Sequence, residues 1–395
     1  MNIIVWALFS ISSTTAFVLP FSIPIKATRS SWMALRMTAS SPTTLGKPGT
    51  AELDTPWEEL GFEFRPTKSH VRIVYRNGEW GPMELVEDPY FNIHIGATAL
   101  HYGQSCFEGL KAFAHSDGSV NIFRPDENAK RMESSCDRTL MKSLPMERFL
   151  EAVNEVVRDN IAYVPPYGSG GSLYIRPLLF GSGPRIGLQP ADEYTFICLC
   201  IPVGDYYKGG LSKPVDAVII EDYDRAAPRG VGNVKVAGNY AADLLPNMIS
   251  KKKGYPVGLY LDAATQTTIE EFSTSNFVGI DSKNNKFVTP KSSSVLPSIT
   301  NKSLMSIAED EGLIVEAREI PVQELETFDE VLAVGTAVVM TPVGSITRLS
   351  DETGNPKRYQ FSKEIGDITR KLYNRVRAIQ NGEEEDKFGW NFKVY

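Results

Sequence analysis

The sequence predicts an α/β chain of the α+β kind, arranged as two domains behind a targeting leader. Three observations predict it. Strand-like apolar runs and helical stripes of period 3.6 occur on both sides of one Pro/Gly/Tyr-rich break, PVGDYYKGGL at residues 202–211. A chain of 395 residues is long enough for about two domains, each with its own core. The first 51 residues contain no Asp or Glu, unlike everything after them. The boundaries drawn on this basis are a leader at 1–51, a small α+β domain at 52–200, an interdomain loop at 201–212 and a large domain at 213–395.

The leader carries Lys26, Arg29, Arg36 and Lys47 among many Ser and Thr, the composition of a transit peptide. Residues 3–11 form an apolar run too short to span a bilayer, and with the Ser/Thr residues and Ala16-Phe17 that follow they read as a signal peptide. A signal-like run before a basic, Ser-rich stretch looks like the two-part plastid leaders of algae. The alternative is a mitochondrial presequence, since residues 25–37 can also wind into a basic amphipathic turn or two. No other stretch is long and apolar enough for a membrane helix. The formal net charge is −7, from 41 basic and 48 acidic side chains. Four of the basic residues and none of the acidic ones lie in the leader, so its removal leaves about −11, which argues against a nucleic-acid partner.

In the small domain, residues 71–75 and 91–95 are predicted as strands around the turn Arg76-Asn77-Gly78. Pro125 opens a helix at its first turn, and Phe149, Ala152, Val153, Val156 and Val157 repeat at the spacing of one helix face. Residues 174–180 and 196–201 return to strand character. Beyond the break, 215–221, 257–261 and 276–280 are strand-like, and a turn at 281–285 leads into 286–289. Helices are predicted at 298–311, stopped by Gly312, and at 361–380, where Phe361, Ile365, Ile368, Leu372, Val376 and Ile379 make one stripe. A further helix at 239–253, ended by Gly254, contains Pro246, which implies a kink. The four cysteines, Cys106, Cys136, Cys198 and Cys200, form no Cys-x-x-Cys pair and read as small buried hydrophobes.

Chemistry concentrates on Lys235, the lone lysine of GVGNVKVAGNYA at 230–241. An ammonium among glycines, valines and an alanine is poorly solvated, loses its proton more readily and becomes a nucleophilic amine. That is what a Schiff-base lysine requires. On this segment alone the favoured reading is an ordinary lysine in a Gly-rich loop. A phosphate-binding Walker loop is excluded, because Val234 stands where glycine is required, and a dinucleotide-binding turn fails because no glycine stands three after Gly232.

Six further segments keep one order along the chain: LHYGQSCFEGLKAF at 100–113, FRPDENAKRM at 123–132, SLYIRP at 172–177, EEFSTSNF at 270–277, VLP at 295–297 and VGTAVVMTPV at 334–343, with EDKFGW at 385–390. Together with the Lys235 segment they resemble the branched-chain amino acid aminotransferases of class IV (fold type IV), a pyridoxal phosphate family, and their details look most like the plant and algal branch. The resemblance runs from about Leu60 to the C-terminus. It implies a two-domain fold with the active site between the small and large domains, pyridoxal 5'-phosphate as cofactor, and a homodimer.

The resemblance also implies roles. Lys235 matches the lysine that holds the cofactor and shuttles the substrate's Cα proton. Glu271, five before Asn276, matches the carboxylate that keeps the cofactor's ring nitrogen protonated, with the adjacent Glu270 turned the other way on an extended segment. Tyr240 matches the tyrosine at the cofactor's phenolic oxygen. Arg131, Ile299, Thr300 and Thr336 match the phosphate cup, where Ile299 and Thr300 open a helix; Arg124 competes with Arg131 but does not precede the methionine. Tyr102, Phe107, Tyr174 and Phe62 match an aromatic box for an aliphatic side chain, although each taken alone also reads as core. Arg176 matches the arginine credited with recognising glutamate, and Thr274 with the Thr336-Ala337 turn matches the groups at the substrate α-carboxylate. Ser273 departs from the glycine of many relatives. The implied activity moves the amino group of Leu, Ile or Val to 2-oxoglutarate by a ping-pong cycle in a plastid, with no nucleic acid or membrane partner for the mature chain. The rivals are a D-amino acid transaminase and aminodeoxychorismate lyase, which share the fold.

Overall fold

A computed structural model describes residues 46–204, 211, 213–350 and 354–395. The leader up to residue 45, and residues 205–210 and 212 of the expected interdomain loop, lie outside the described residues. Residues 46–51 are described: Gly49 N–H donates to Val164 O at 2.8 Å and Ala51 N–H to Ala162 O at 3.0 Å.

The first sheet is antiparallel throughout. It comprises β1 (His70–Arg76), β2 (Glu79–Val86), β3 (Ser105–Phe107), β4 (Leu110–Ala114), β5 (Val120–Phe123), β6 (Ser172–Gly181), β7 (Tyr194–Val203) and a last strand, β17 (Asn391–Lys393). The order is β17-β5-β4-β6-β7-β1-β2, with β3 on β6. Against it pack α2 (Pro125–Arg138) and α3 (Met146–Asp159), following α1 (Thr98–Tyr102). The stripe read from sequence is the buried face of α3: Phe149, Ala152, Val153, Val156 and Val157 join Val71, Ile73, Ile175 and Phe196 in one core. All four cysteines are buried and reduced, and Cys106 and Cys136 bring their sulfurs to 3.6 Å in that core.

The strand expected at 91–95 is not formed. Asn77 and Gly78 both take positive φ, 55° and 92°, and return the chain at once from Arg76 to Glu79, so β2 takes the hairpin's second strand. Pro82 disguises β2 in the sequence, yet it is tolerated because β2 is the sheet's edge.

The second sheet comprises β8 (Val215–Ile220), β9 (Val257–Leu261), β10 (Ile269–Phe272), β11 (Ser275–Asp281), β12 (Lys286–Pro290), β13 (Ile314–Arg318), β14 (Glu330–Gly335), β15 (Val339–Arg348) and β16 (Lys357–Gln360). Because β10 pairs with both β9 and β11, six strands close into a ring in the order β10-β9-β8-β15-β14-β11. Closure removes free edges around a core that includes Ile219, Leu259, Phe272, Phe277, Val331 and Ile346. Three helices belong to this half: α4 (Ala237–Lys252), which runs unbroken through the buried Pro246, α5 (Ile299–Asp310), capped by Ser298 Oγ accepting from Asn301 N–H, and α6 (Asp367–Asn381). The C-terminal tail crosses back. Phe388 and Trp390 stack at 4.2 Å, Trp390 packs with Leu304 and Ile307 of α5 and Leu372 of α6, and Asn391–Lys393 then pairs with β5 of the first sheet.

Candidate active site

Lys235 lies in the connection that leads into α4, and its backbone is fixed to the first sheet. Lys235 N–H donates to Ser135 Oγ of α2 at 2.9 Å, its carbonyl accepts from Phe107 N–H at 3.1 Å, and Val236 bridges Cys106. Small residues on both sides allow this close approach. The side chain lines a cavity of about 670 Å³ together with Phe62, Phe107, Arg131, Tyr174, Arg176, Tyr240, Glu271, Thr274, Thr336 and Ala337. A larger depression of about 850 Å³, beside the β1–β2 turn, shares no lining residue with it.

Inside the cavity Lys235 Nζ donates to Tyr240 Oη at 2.6 Å and stands 4.7 Å from the Phe107 ring centre. Burial, reinforced by the Arg131 charge, holds its ammonium pKa down at about 7. Burial also pushes the Tyr240 phenol well above its ordinary range. Tyr240 therefore stays protonated, while Lys235 gives up its proton far more readily than an ordinary lysine.

Glu271 and Glu270 separate as strand alternation requires. Glu271 faces the cavity from β10; Glu270 faces Ser292 and Ser294. Burial raises the Glu271 carboxyl to about 7, opposed chiefly by Arg225, whose Nη2 lies 2.6 Å from Oε1, and by Leu296 N–H at 3.0 Å. Asn276, directly opposite in the β10–β11 hairpin, donates to Oε2 at 3.3 Å.

At another wall Arg131 is buried and forked onto Glu108, Nε to Oε1 at 2.8 Å and Nη2 to Oε2 at 2.7 Å, while Nη1 donates to Pro297 O at 3.1 Å. Ile299 and Thr300, in the first turn of α5, line a small adjoining pocket that shares Gly109 and Thr336 with the main cavity. The turn after β14 carries Thr336 and Ala337. Val339 closes it at φ 63°, a strained conformation for a β-branched residue, and Lys111 Nζ of β4 holds it by donating to Ala337 O at 2.9 Å.

The aromatic wall is a set of ring contacts. Phe62 meets Tyr174 edge-on at 5.1 Å, and the Arg176 guanidinium lies 4.7 Å from the Phe107 ring centre and donates to Tyr174 Oη at 3.2 and 2.9 Å. Gly109 is obligatory beneath it, because an added Cβ would stand 2.3 Å from Tyr174 Oη. Tyr102 is not brought to this cavity: it lies exposed at the end of α1 with its hydroxyl on the Ile186 carbonyl. Ser273 lines the cavity, but its hydroxyl turns to Gly258 O. Arg124 donates to Ser303 and packs over Trp390 instead of entering the site.

Three contributors were not singled out from the sequence: Arg225, Glu108 and Lys111. Arg225 stands ten residues before Lys235 with Arg229 nearby, and nothing local distinguishes the two. Glu108 lies inside the FEGLK run, where its lack of solvent exposure is a tertiary fact.

The donor set suits an aldehyde-bearing pyridine with a phosphate arm: a buried amine whose pKa is lowered to about 7, a buried carboxyl group, and an arginine next to a helix N-terminus. The chain is matched over residues 105–346, well over half its length, by the amino-transferase class IV family model. It is 46% identical over 347 residues to a branched-chain-amino-acid aminotransferase of Haemophilus influenzae, covering 86% of this chain and 99% of that protein. It is 40% identical over 364 residues to the chloroplastic branched-chain-amino-acid aminotransferase 5 of Arabidopsis thaliana, covering 91% and 84%. Among solved structures it resembles the Escherichia coli branched-chain amino acid aminotransferase with a TM-score of 0.66 and 28% identity, over 82% of this chain and 99% of that one.

Proposed function

The chain belongs to the class IV aminotransferases, and from that premise we propose that it transfers the amino group of Leu, Ile or Val to 2-oxoglutarate with pyridoxal 5'-phosphate as cofactor. The observation that carries the reading is one cavity walled by the Lys235–Tyr240 pair, the Arg225–Glu271 pair and the Arg176–Tyr174 pair. When bound, the cofactor supplies a carbonyl that takes up the amino group and a protonated ring that accepts electrons from Cα. Lys235 holds the cofactor and moves the Cα proton, which its near-neutral pKa permits. Glu271 holds the ring nitrogen's proton, Tyr240 the phenolic oxygen, and Arg131 with Ile299, Thr300 and Thr336 the phosphate. Phe62, Phe107 and Tyr174 enclose an aliphatic side chain, and Thr274 with the Thr336-Ala337 turn receives the α-carboxylate.

An amino-acid panel with 2-oxoglutarate as acceptor tests the reading. Glutamate formed from Leu, Ile and Val is the expected result; turnover of D-amino acids alone, or pyruvate release from aminodeoxychorismate, would replace it with one of the rival activities. Adding leucine alone should deplete the visible absorbance of the lysine-bound cofactor, whereas a binding protein without turnover would leave it unchanged.

Only glutamate and 2-oxoglutarate bring a second carboxylate, which Arg176 is positioned to meet. Arg176→Met is expected to raise KM for 2-oxoglutarate more than KM for leucine, since a hydrogen bond to a charged group is worth about 1.5 to 3 kcal/mol, roughly ten- to a hundred-fold. Equal weakening of both half-reactions would make Arg176 a structural residue.

A homodimer is supported by the apolar surface around Tyr102. Ile95, Leu100, Ile186 and Leu188, in the segments around Tyr102 and its Ile186 partner, are each at least 60% exposed, and exposed apolar side chains gathered in one region mark an interaction surface. Plastid residence is supported by the acid-free leader and the chloroplastic relatives. Deleting residues 1–45, which spares the backbone bonds of Gly49 and Ala51, should leave activity intact and abolish import. A fluorescent protein fused after Thr50 reads the destination: mitochondrial signal would overturn the plastid assignment, and diffuse cytoplasmic signal the leader itself.

A further inference from the structure

The two adjacent carboxylates of β10 face opposite ways, and the one turned from the cavity has no part in the chemistry above. Glu270 is nevertheless only 4% exposed. Its Oε1 accepts from Ser292 Oγ at 3.1 Å and from Ser294 Oγ, and its Oε2 has no hydrogen-bond partner among the described residues. The two hydroxyls lie 2.8 Å apart, and Ser294 N–H donates to Ser292 Oγ at 3.2 Å, so the loop is tied to Glu270 at two residues on either side of Ser293.

The other side of the same loop reaches Glu271. Leu296 N–H donates to Glu271 Oε1 at 3.0 Å. Leu296 O accepts from Asn276 Nδ2 at 3.0 Å, and that amide also donates to Glu271. Ser294 O accepts from Arg225 Nη2, the same nitrogen that lies 2.6 Å from Glu271 Oε1. Gly232 leaves room for this junction: a Cβ there would stand 2.1 Å from Ser294 O and 2.7 Å from Arg225 Nη2.

We propose that Glu270 is a positioning residue: it anchors residues 292–296 through two serine hydroxyls so that Leu296 N–H and Arg225 stay on Glu271, and thereby sets the protonation of that carboxylate. The proposal rests on the reading of Glu271 as the partner of the cofactor ring. Charge and anchor act in opposite directions. The negative charge of Glu270 disfavours a second carboxylate beside it, whereas the loop it anchors delivers donors that favour ionised Glu271. The other titratable groups facing Glu271 are Arg225, Lys235 across the cavity and Tyr240. None of them touches Ser292 or Ser294 by its side chain except Arg225, through the Ser294 carbonyl.

Opposite signs make the test. In the full chain before cofactor is added, the carboxyl infrared band that disappears in Glu271→Gln is followed as a function of pH, which reads Glu271 without turnover. Glu270→Gln removes the charge and keeps an acceptor for the serines, so the Glu271 midpoint should fall. Ser292→Ala with Ser294→Ala removes the anchor alone and should raise the midpoint by about one pH unit, the scale of losing one hydrogen bond to a charged group, whereas Glu270→Ala removes both and its midpoint should fall between those of the other two variants. Midpoints moving the same way in Glu270→Gln and the serine double variant, or no movement in the latter, would overturn the proposal. The serine variant decides the matter even where Glu270→Ala does not fold. An error in the role of Glu271 appears separately, as a Glu271→Gln protein with normal half-reaction rates.

Discussion

Lys235→Ala is expected to abolish the visible absorbance of the lysine-bound cofactor and to slow amino-group transfer at least ~10²-fold, the scale of losing a general base. The argument is geometric before it is electrostatic. Lys235 is the one lysine among the described residues that line the cavity, its backbone is pinned by Ser135 and Phe107, and its amine rests on Tyr240 Oη at 2.6 Å. Lys111, the nearest competitor, has its ammonium on the Ala337 carbonyl. Burial and the neighbouring Arg131 bring Lys235 to about 7, so the wild-type amine is available at neutral pH and progressively less so in acid. The measurement is the absorption spectrum together with single-turnover rates for leucine. A variant that keeps both the chromophore and the rate would remove Lys235 from the mechanism.

Glu271→Gln should cripple turnover far more than Glu270→Gln. Glu271 opens into the cavity from β10, whereas Glu270 ends on serine hydroxyls behind it. An amide cannot hold a pyridinium proton by charge, so the electron sink weakens with the first substitution; the second leaves that carboxylate in place. Half-reaction rates with leucine separate the two. Equal mild losses would show that another group faces the ring.

How much of this was legible in the sequence depended on how local the cause was. The buried stripe of α3, the closing glycine of α5, and the Lys235 segment are set by residues within a few positions of one another, and they read directly. The alternation that turns Glu271 in and Glu270 away is likewise local. Strand β2 was hidden by Pro82 because the sequence does not say which strand is an edge. Arg225 and Glu108 were hidden because their partners are 46 and 23 residues away, and a buried ion pair has no periodicity. Tyr102 matched a motif and yet lies outside the cavity, since a motif fixes chain position and not the direction in which a short helix ends.

The return of Asn391–Lys393 to β5 sets a schedule for biosynthesis. Every strand of the first sheet except the last has been synthesised by residue 203, but the outer edge of β5 stays unpaired until residues 391–393 emerge. Trp390 arrives with them and packs against α5, the helix whose first turn borders the cavity. The nascent chain therefore carries an open β-edge through about two thirds of the synthesis of these 395 residues, and a stop before Asn391 would leave that edge exposed for pairing with other chains.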